Sequence, residues 1–181
     1  MKILMITMIG AVLGLLAMLS APALTVADDD IKATLRGFEE VPAISTVATG
    51  KFRGEIDNDS IEFRLNYENL EGDVTQAHIH FGQKGFNGGI VIFLCTNLGN
   101  GPSGTPACPG PHSGTVTGTR RAADVLAVLA QGIAAGQFAE VVRAIRAGIA
   151  YANVHSAGAG GVATNFNGGE IRGQIRAEDD D

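Results

Sequence analysis

Ser60-Ile61-Glu62-Phe63-Arg64-Leu65-Asn66-Tyr67-Glu68 alternates apolar and polar residues without a break. Successive side chains of a strand point to opposite faces, so Ile61, Phe63, Leu65 and Tyr67 share one face while Glu62, Arg64, Asn66 and Glu68 share the other. This is the pattern of a half-buried antiparallel strand. Asp57-Asn58-Asp59 just before it consists of turn formers, and Val47–Ile56 supplies a partner, so the region reads as a hairpin. The acidic turn lacks the glycine and the distal glutamate of a calcium-binding loop.

Further strands follow on both sides. Ile31–Gly37 reads as a first strand, ended by Glu39-Glu40-Val41-Pro42, where proline disfavours a central strand. Val74–Phe81 alternates, Gly89–Cys95 is a continuous apolar run suited to a strand buried on both faces, and Ser113–Thr119 is short and rich in Thr. Ala122–Ile133 and Gln137–Ile149 instead carry apolar residues at helical spacing and predict two amphipathic helices. Tyr151–His155 and Gly169–Ile175 return to strand, with Ser156–Gly169 a loop between them. The expected fold is mainly β: an antiparallel β-sandwich, Greek-key-like, with a two-helix insertion before the last two strands.

Three of the four histidines lie on the polar faces of these strands. In Gln76-Ala77-His78-Ile79-His80-Phe81, His78 and His80 share one face; in Tyr151-Ala152-Asn153-Val154-His155, His155 and Asn153 share another. With Ile79, Val154 and Ile171 turned to the core, His78, His80, His155, Asn153, Glu170 and Arg172 face outward and form one polar patch if the strands are neighbours. Three imidazoles with an open position suit Cu or Zn. Asn153 and Glu170 are then outer partners that fix the imidazole tautomers, and Arg172 pairs with Glu170. A structural hydrogen-bond network is an equally open reading of the same residues. His112, alone in a Gly/Pro-rich loop, is left out of the cluster.

Met1-Lys2, an apolar run from Ile3 to Met18 and the small residues up to Ala27 read as a signal peptide over residues 1–27, leaving 28–181 as a single domain. An uncleaved anchor is the rival reading, since the segment is long enough to span a bilayer. Export places the protein outside the cytoplasm, secreted or in the periplasm or cell envelope, with no membrane contact after cleavage. In that oxidising setting Cys95 and Cys108, the only cysteines, pair as a disulfide that restrains the loop between them. The net charge of −6, with the arginines scattered, argues against nucleic acid as a partner.

The stretches GFEEVPAISTVATGKFRGEI, VTQAHIHFGQKGFNGGIVIFL, AIRAGIAYANVHS and GGEIRGQI, taken in order, resemble the CHRD domain, the module named after chordin. The resemblance runs from Leu35 to Ile175, with Ser156 where threonine is common. It implies an extracytoplasmic, non-catalytic binding domain with an unknown extracellular or envelope ligand. A second, partial resemblance, to copper/zinc superoxide dismutase, is confined to residues 78–112: His78-Ile79-His80-Phe81-Gly82 and Cys108-Pro109-Gly110-Pro111-His112.

No serine or cysteine nucleophile motif, phosphate-binding glycine loop or acid/base carboxylate pair is legible, so no catalytic residue is expected. The leading expectation is an exported binding module holding a transition metal through its histidines. The alternatives are a superoxide dismutase-like redox enzyme using His78, His80 and His155, and a purely structural envelope protein.

Overall fold

The structure, a computed structural model, describes residues 29–158 and 165–178. Residues 1–27, read above as a signal peptide, lie outside the described residues. Nine strands follow in chain order: β1 (Asp29–Arg36), β2 (Thr49–Asp57), β3 (Ser60–Glu68), β4 (Asp73–Phe81), β5 (Gly89–Thr96), β6 (Gly114–Arg121), β7 (Ala150–Ala157), β8 (Asn165–Gln174) and the short β9 (Arg176–Ala177). They form one antiparallel sheet in the order β5-β4-β7-β8-β1-β2-β3-β6, with β9 on β1.

That single sheet corrects the expected two-layer sandwich. It curls until its edges β5 and β6 meet and nearly closes into a barrel. Among the described residues, the side-chain hydrogen bonds between these edges come from Arg120. Arg120 of β6 donates from Nε to Phe93 O (2.7 Å) and from Nη2 to Leu94 O (2.9 Å) on β5. Its guanidinium also lies 5.2 Å from the centre of the Phe63 ring. Buried backbone carbonyls need donors, and a forked five-donor side chain satisfies two at once.

Alternation explains the core. The inward face of β3 (Ile61, Phe63, Leu65, Tyr67) packs with Leu35, Phe52, Ile79, Ile92, Val154 and Ile171, all buried. The β2–β3 register pairs Ile56 with Ile61 and Phe52 with Leu65, and the Asp57 side chain closes the turn by accepting from Asn58 N–H (2.6 Å). β5 is buried on both faces from Val91 to Cys95, as its unbroken apolar run requires.

The two-helix insertion is also corrected. Among the described residues there is one α-helix, α1 (Phe138–Arg146), which buries Phe138, Val141, Val142 and Ile145 at the expected spacing. The stretch Ala122–Ile133 instead makes two single 3₁₀ turns, with Leu126 N–H donating to Val91 O on β5 and Val128 bridging Ile133. Isolated helices this short are marginal, and here the neighbouring strand offers the backbone another partner. Leu129, read as part of an apolar helix face, is exposed.

Cys95 and Cys108 form the expected disulfide. Asn97 reinforces that loop by donating to Val74 O and Cys108 O and accepting from Cys108 N–H.

Candidate metal centre

The β4–β7–β8 register builds the site. His78 of β4 lies opposite Asn153 of β7, which lies opposite Arg172 of β8; one step along, His80 faces Tyr151 and Tyr151 faces Gln174. A register shift between Val74 and Gln76 sets Gln76 against His155. His78, His80 and His155 therefore converge, and their candidate ligand nitrogens all lie within 4.8 Å of one another. His78 Nδ1 and His155 Nε2 are 3.1 Å apart.

The expected outward orientation holds, but solvent exposure does not follow from it. His78, His80 and His155 are only 0, 7 and 5 % exposed, and Asn153, Glu170 and Arg172 are buried too. Phe93 meets His78 edge-on at 4.3 Å between ring centres, and Tyr151 stacks on His80 at 4.7 Å. The rest of the cover is loop. Gly88, between β4 and β5, accepts from His80 Nδ1–H through its carbonyl and donates its N–H to the Tyr151 hydroxyl. A Cβ on Gly88 would collide with the Phe81 carbonyl, so only glycine admits this approach.

Carbonyl oxygens only accept, and this fixes two tautomers. His80 Nδ1–H donates to Gly88 O (2.9 Å) and His155 Nδ1–H to Asn167 O (2.8 Å), so both Nε2 atoms carry lone pairs. Among the described residues, the buried Nε2 atoms of His78 and His80 have no hydrogen-bond partner. Metal-ligating histidines commonly bind backbone carbonyls through the other ring nitrogen in this way. A tetrahedral ion with bonds to nitrogen of about 2.0–2.1 Å holds its ligands about 3.4 Å apart, a small side-chain adjustment from the spacing seen here.

Burial disfavours imidazolium. It pushes His78 down to about 2, with His155 and His80 adding to the effect, and His80 down to about 4, against the pull of the Gly88 carbonyl. His155 is lowered for the same reason. The three rings are thus neutral, the form that ligates metal.

The remaining predicted residues separate. Asn153 Oδ1 lies 3.1 Å from His155 Nε2, within the cluster. Glu170, expected beside the imidazoles and paired with Arg172, hydrogen-bonds to neither. It accepts from Thr46 Oγ1 and Glu71 N–H, each at 2.8 Å, and from Ser156 Oγ, tying down the loop after β1 and the β3–β4 turn. Arg172 lies 3.4 Å over the Tyr151 ring and donates to Gln83 O, Phe86 O and Asn87 Oδ1, holding the β4–β5 loop over the site. His112 stays apart, its Nδ1 on Leu70 O.

Sequence reasoning missed Glu40, which is 5 % exposed. It comes from the loop after β1 to lie beside Gly169 and the Asn153 amide, and among the described residues its Oε1 has no hydrogen-bond partner. Burial raises its carboxyl to about 8, opposed by Arg172 and the Val41 N–H. Nothing in Glu39-Glu40-Val41-Pro42 distinguishes the buried acid from its half-buried neighbour.

The described residues thus form a nearly closed antiparallel sheet with a histidine cluster buried against one outer face. The family model of the CHRD domain matches residues 31–175, and the chain belongs to that family. No curated protein and no solved structure matches it.

Proposed function

We propose that this CHRD domain is an exported binding module, delivered by the leader at residues 1–27, whose His78, His80 and His155 hold one copper or zinc ion. The observation that carries the reading is the pair of buried Nε2 atoms on His78 and His80, which lie within a cluster of neutral imidazoles and have no partner among the described residues. An unpartnered buried acceptor costs about 1–3 kcal/mol, and a cation supplies what each lacks. Zinc and copper both accept imidazole nitrogen.

Burial favours holding the ion over turning over a diffusing substrate, so the superoxide dismutase-like alternative ranks second. The purely structural reading draws on the His78–His155 contact, in which His78 Nδ1–H donates to His155 Nε2.

Metal analysis and Cu²⁺ and Zn²⁺ titration of residues 28–181, prepared without a histidine tag, decide between them. About one equivalent bound, and lost in His80→Ala, supports the metal centre. No uptake, with His80→Ala only lowering the melting temperature, makes the cluster structural. Superoxide or peroxide turnover by the loaded protein would promote the enzymatic alternative.

A further inference from the structure

The metal centre has no charge to match its ion. Its three imidazoles are neutral, and the nearest formal cation, Arg172, is buried on the neighbouring strand. A divalent ion in such a place needs a counter-charge close by.

Two buried acids lie near this face, Glu40 and Glu170. Glu170 is saturated by Thr46, Ser156 and the Glu71 N–H. Glu40 is not. Among the described residues its Oε1 is unpartnered and it forms no ion pair.

Its position connects it to the cluster through one amide. Gly169 (φ 120°) presents no side chain, and the space a Cβ would fill is flanked by Glu40 Oε1 and, at 2.8 Å, by Asn153 Nδ2. The same amide approaches the cluster, with Asn153 Oδ1 lying 3.1 Å from His155 Nε2. Glu40 hydrogen-bonds to none of the three imidazoles, so it is placed as an outer group and not as a ligand.

We infer that loading the cluster with a divalent ion expels one proton from the Glu40 carboxyl, which becomes the ion's buried counter-charge. The inference rests on the metal-centre reading above. The O–H bond of the carboxyl breaks, its electron pair stays on the carboxylate, and the proton leaves to solvent; no electron is transferred. The groups beside Glu40 are Arg172 from β8, Tyr151 and Asn153 from β7, and the Val41 N–H on its own loop. Of these only Arg172 is charged at rest, and it is committed to the β4–β5 loop. Burial keeps the carboxyl protonated up to about pH 8 in the absence of metal, so a proton is there to be released.

Zn²⁺ titration by calorimetry, repeated in buffers of different ionisation enthalpy, counts the proton directly. The expected result is about one proton per ion at pH 7, with affinity rising roughly tenfold per pH unit between pH 6 and 8 and flattening above. Glu40→Gln keeps the shape and the resting neutrality, so it should fold and still bind. It should release no proton, lose the pH slope and bind at least about tenfold more weakly at pH 8. Zn²⁺ uptake without proton release, or equal release from Glu40→Gln, overturns the role of Glu40 and leaves the metal centre standing. No Zn²⁺ uptake by the unsubstituted protein overturns both.

Discussion

Two parts of one sheet obey the same alternation and end in opposite surroundings. On β1, β2 and β3 the outward residues, among them Lys32, Lys51, Arg53, Glu62 and Arg64, are exposed and charged. On β4, β7 and β8 the outward residues His78, His80, Asn153, His155, Glu170 and Arg172 are buried. The strands themselves do not differ in kind. What differs is that two loops, 37–48 and 82–88, fold over one outer face and leave the other to water. Alternation tells which side chains share a face, while loop placement decides what that face meets.

The first way to test this contrast is to strike the interior that both parts share. Phe52→Ala, inside the barrel, should cost about 3–5 kcal/mol in urea unfolding, through lost burial and the cavity left behind. A loss below about 1 kcal/mol would mean the barrel is not the cooperative core.

Acid should then separate the two outer faces. A histidine whose folded pKa lies below its unfolded 6.5 binds fewer protons folded than unfolded, so its contribution is intact above 6.5 and is lost as pH falls. His80, titrating near 4 when folded, removes about 3 kcal/mol between pH 6.5 and 4, and His78 a similar amount over that interval. Glu40 works in the other direction. Its folded pKa of about 8 lies above the ordinary 4.5, so it erodes stability as pH rises between those values. Metal-free protein should be most stable near pH 6.5, with the alkaline decline flattened in Glu40→Gln. A profile flat from pH 4 to 6.5 would show that the imidazoles are hydrated and the cover is not closed.

Removing the strap over the site should have a smaller effect. Arg172→Ala strands the Gln83 and Phe86 carbonyls and uncovers Tyr151, for an expected loss of about 2–3 kcal/mol and faster amide exchange across residues 82–88. Arg53→Ala, on the solvated face, should change stability by no more than about 0.5 kcal/mol. Comparable losses for the two arginines would erase the distinction between the faces.

The legibility of the chain follows the range of the interactions. The β2–β3 hairpin could be read from its turn and alternation because both are local. The second helix, α1, was equally plain from Phe138, Val141, Val142 and Ile145. The stretch before it was misread because Val125, Leu126 and Val128 fit a helical spacing, yet the Leu126 N–H finds its partner on β5, far away in sequence. The single curled sheet was hidden for the same reason, since its closure depends on Arg120 reaching Phe93 and Leu94. At the site, period two gave the shared face of His78 and His80 directly. The contact of His155 with His78, the tautomers set by Gly88 and Asn167, and the arrival of Glu40 all depend on which strands and loops become neighbours.

The sequence by itself determined the mainly β character, the paired cysteines, the resemblance to the CHRD domain and the three histidines of interest. Each of these is written in residue identity, short-range period or motif order. Only the tertiary structure decided that the histidines form one buried, neutral cluster, that Glu170 anchors loops, and that Glu40 supplies the unpaired acid beside it. Burial and charge balance are sums over everything that packs around a group, and no local stretch of chain contains that sum.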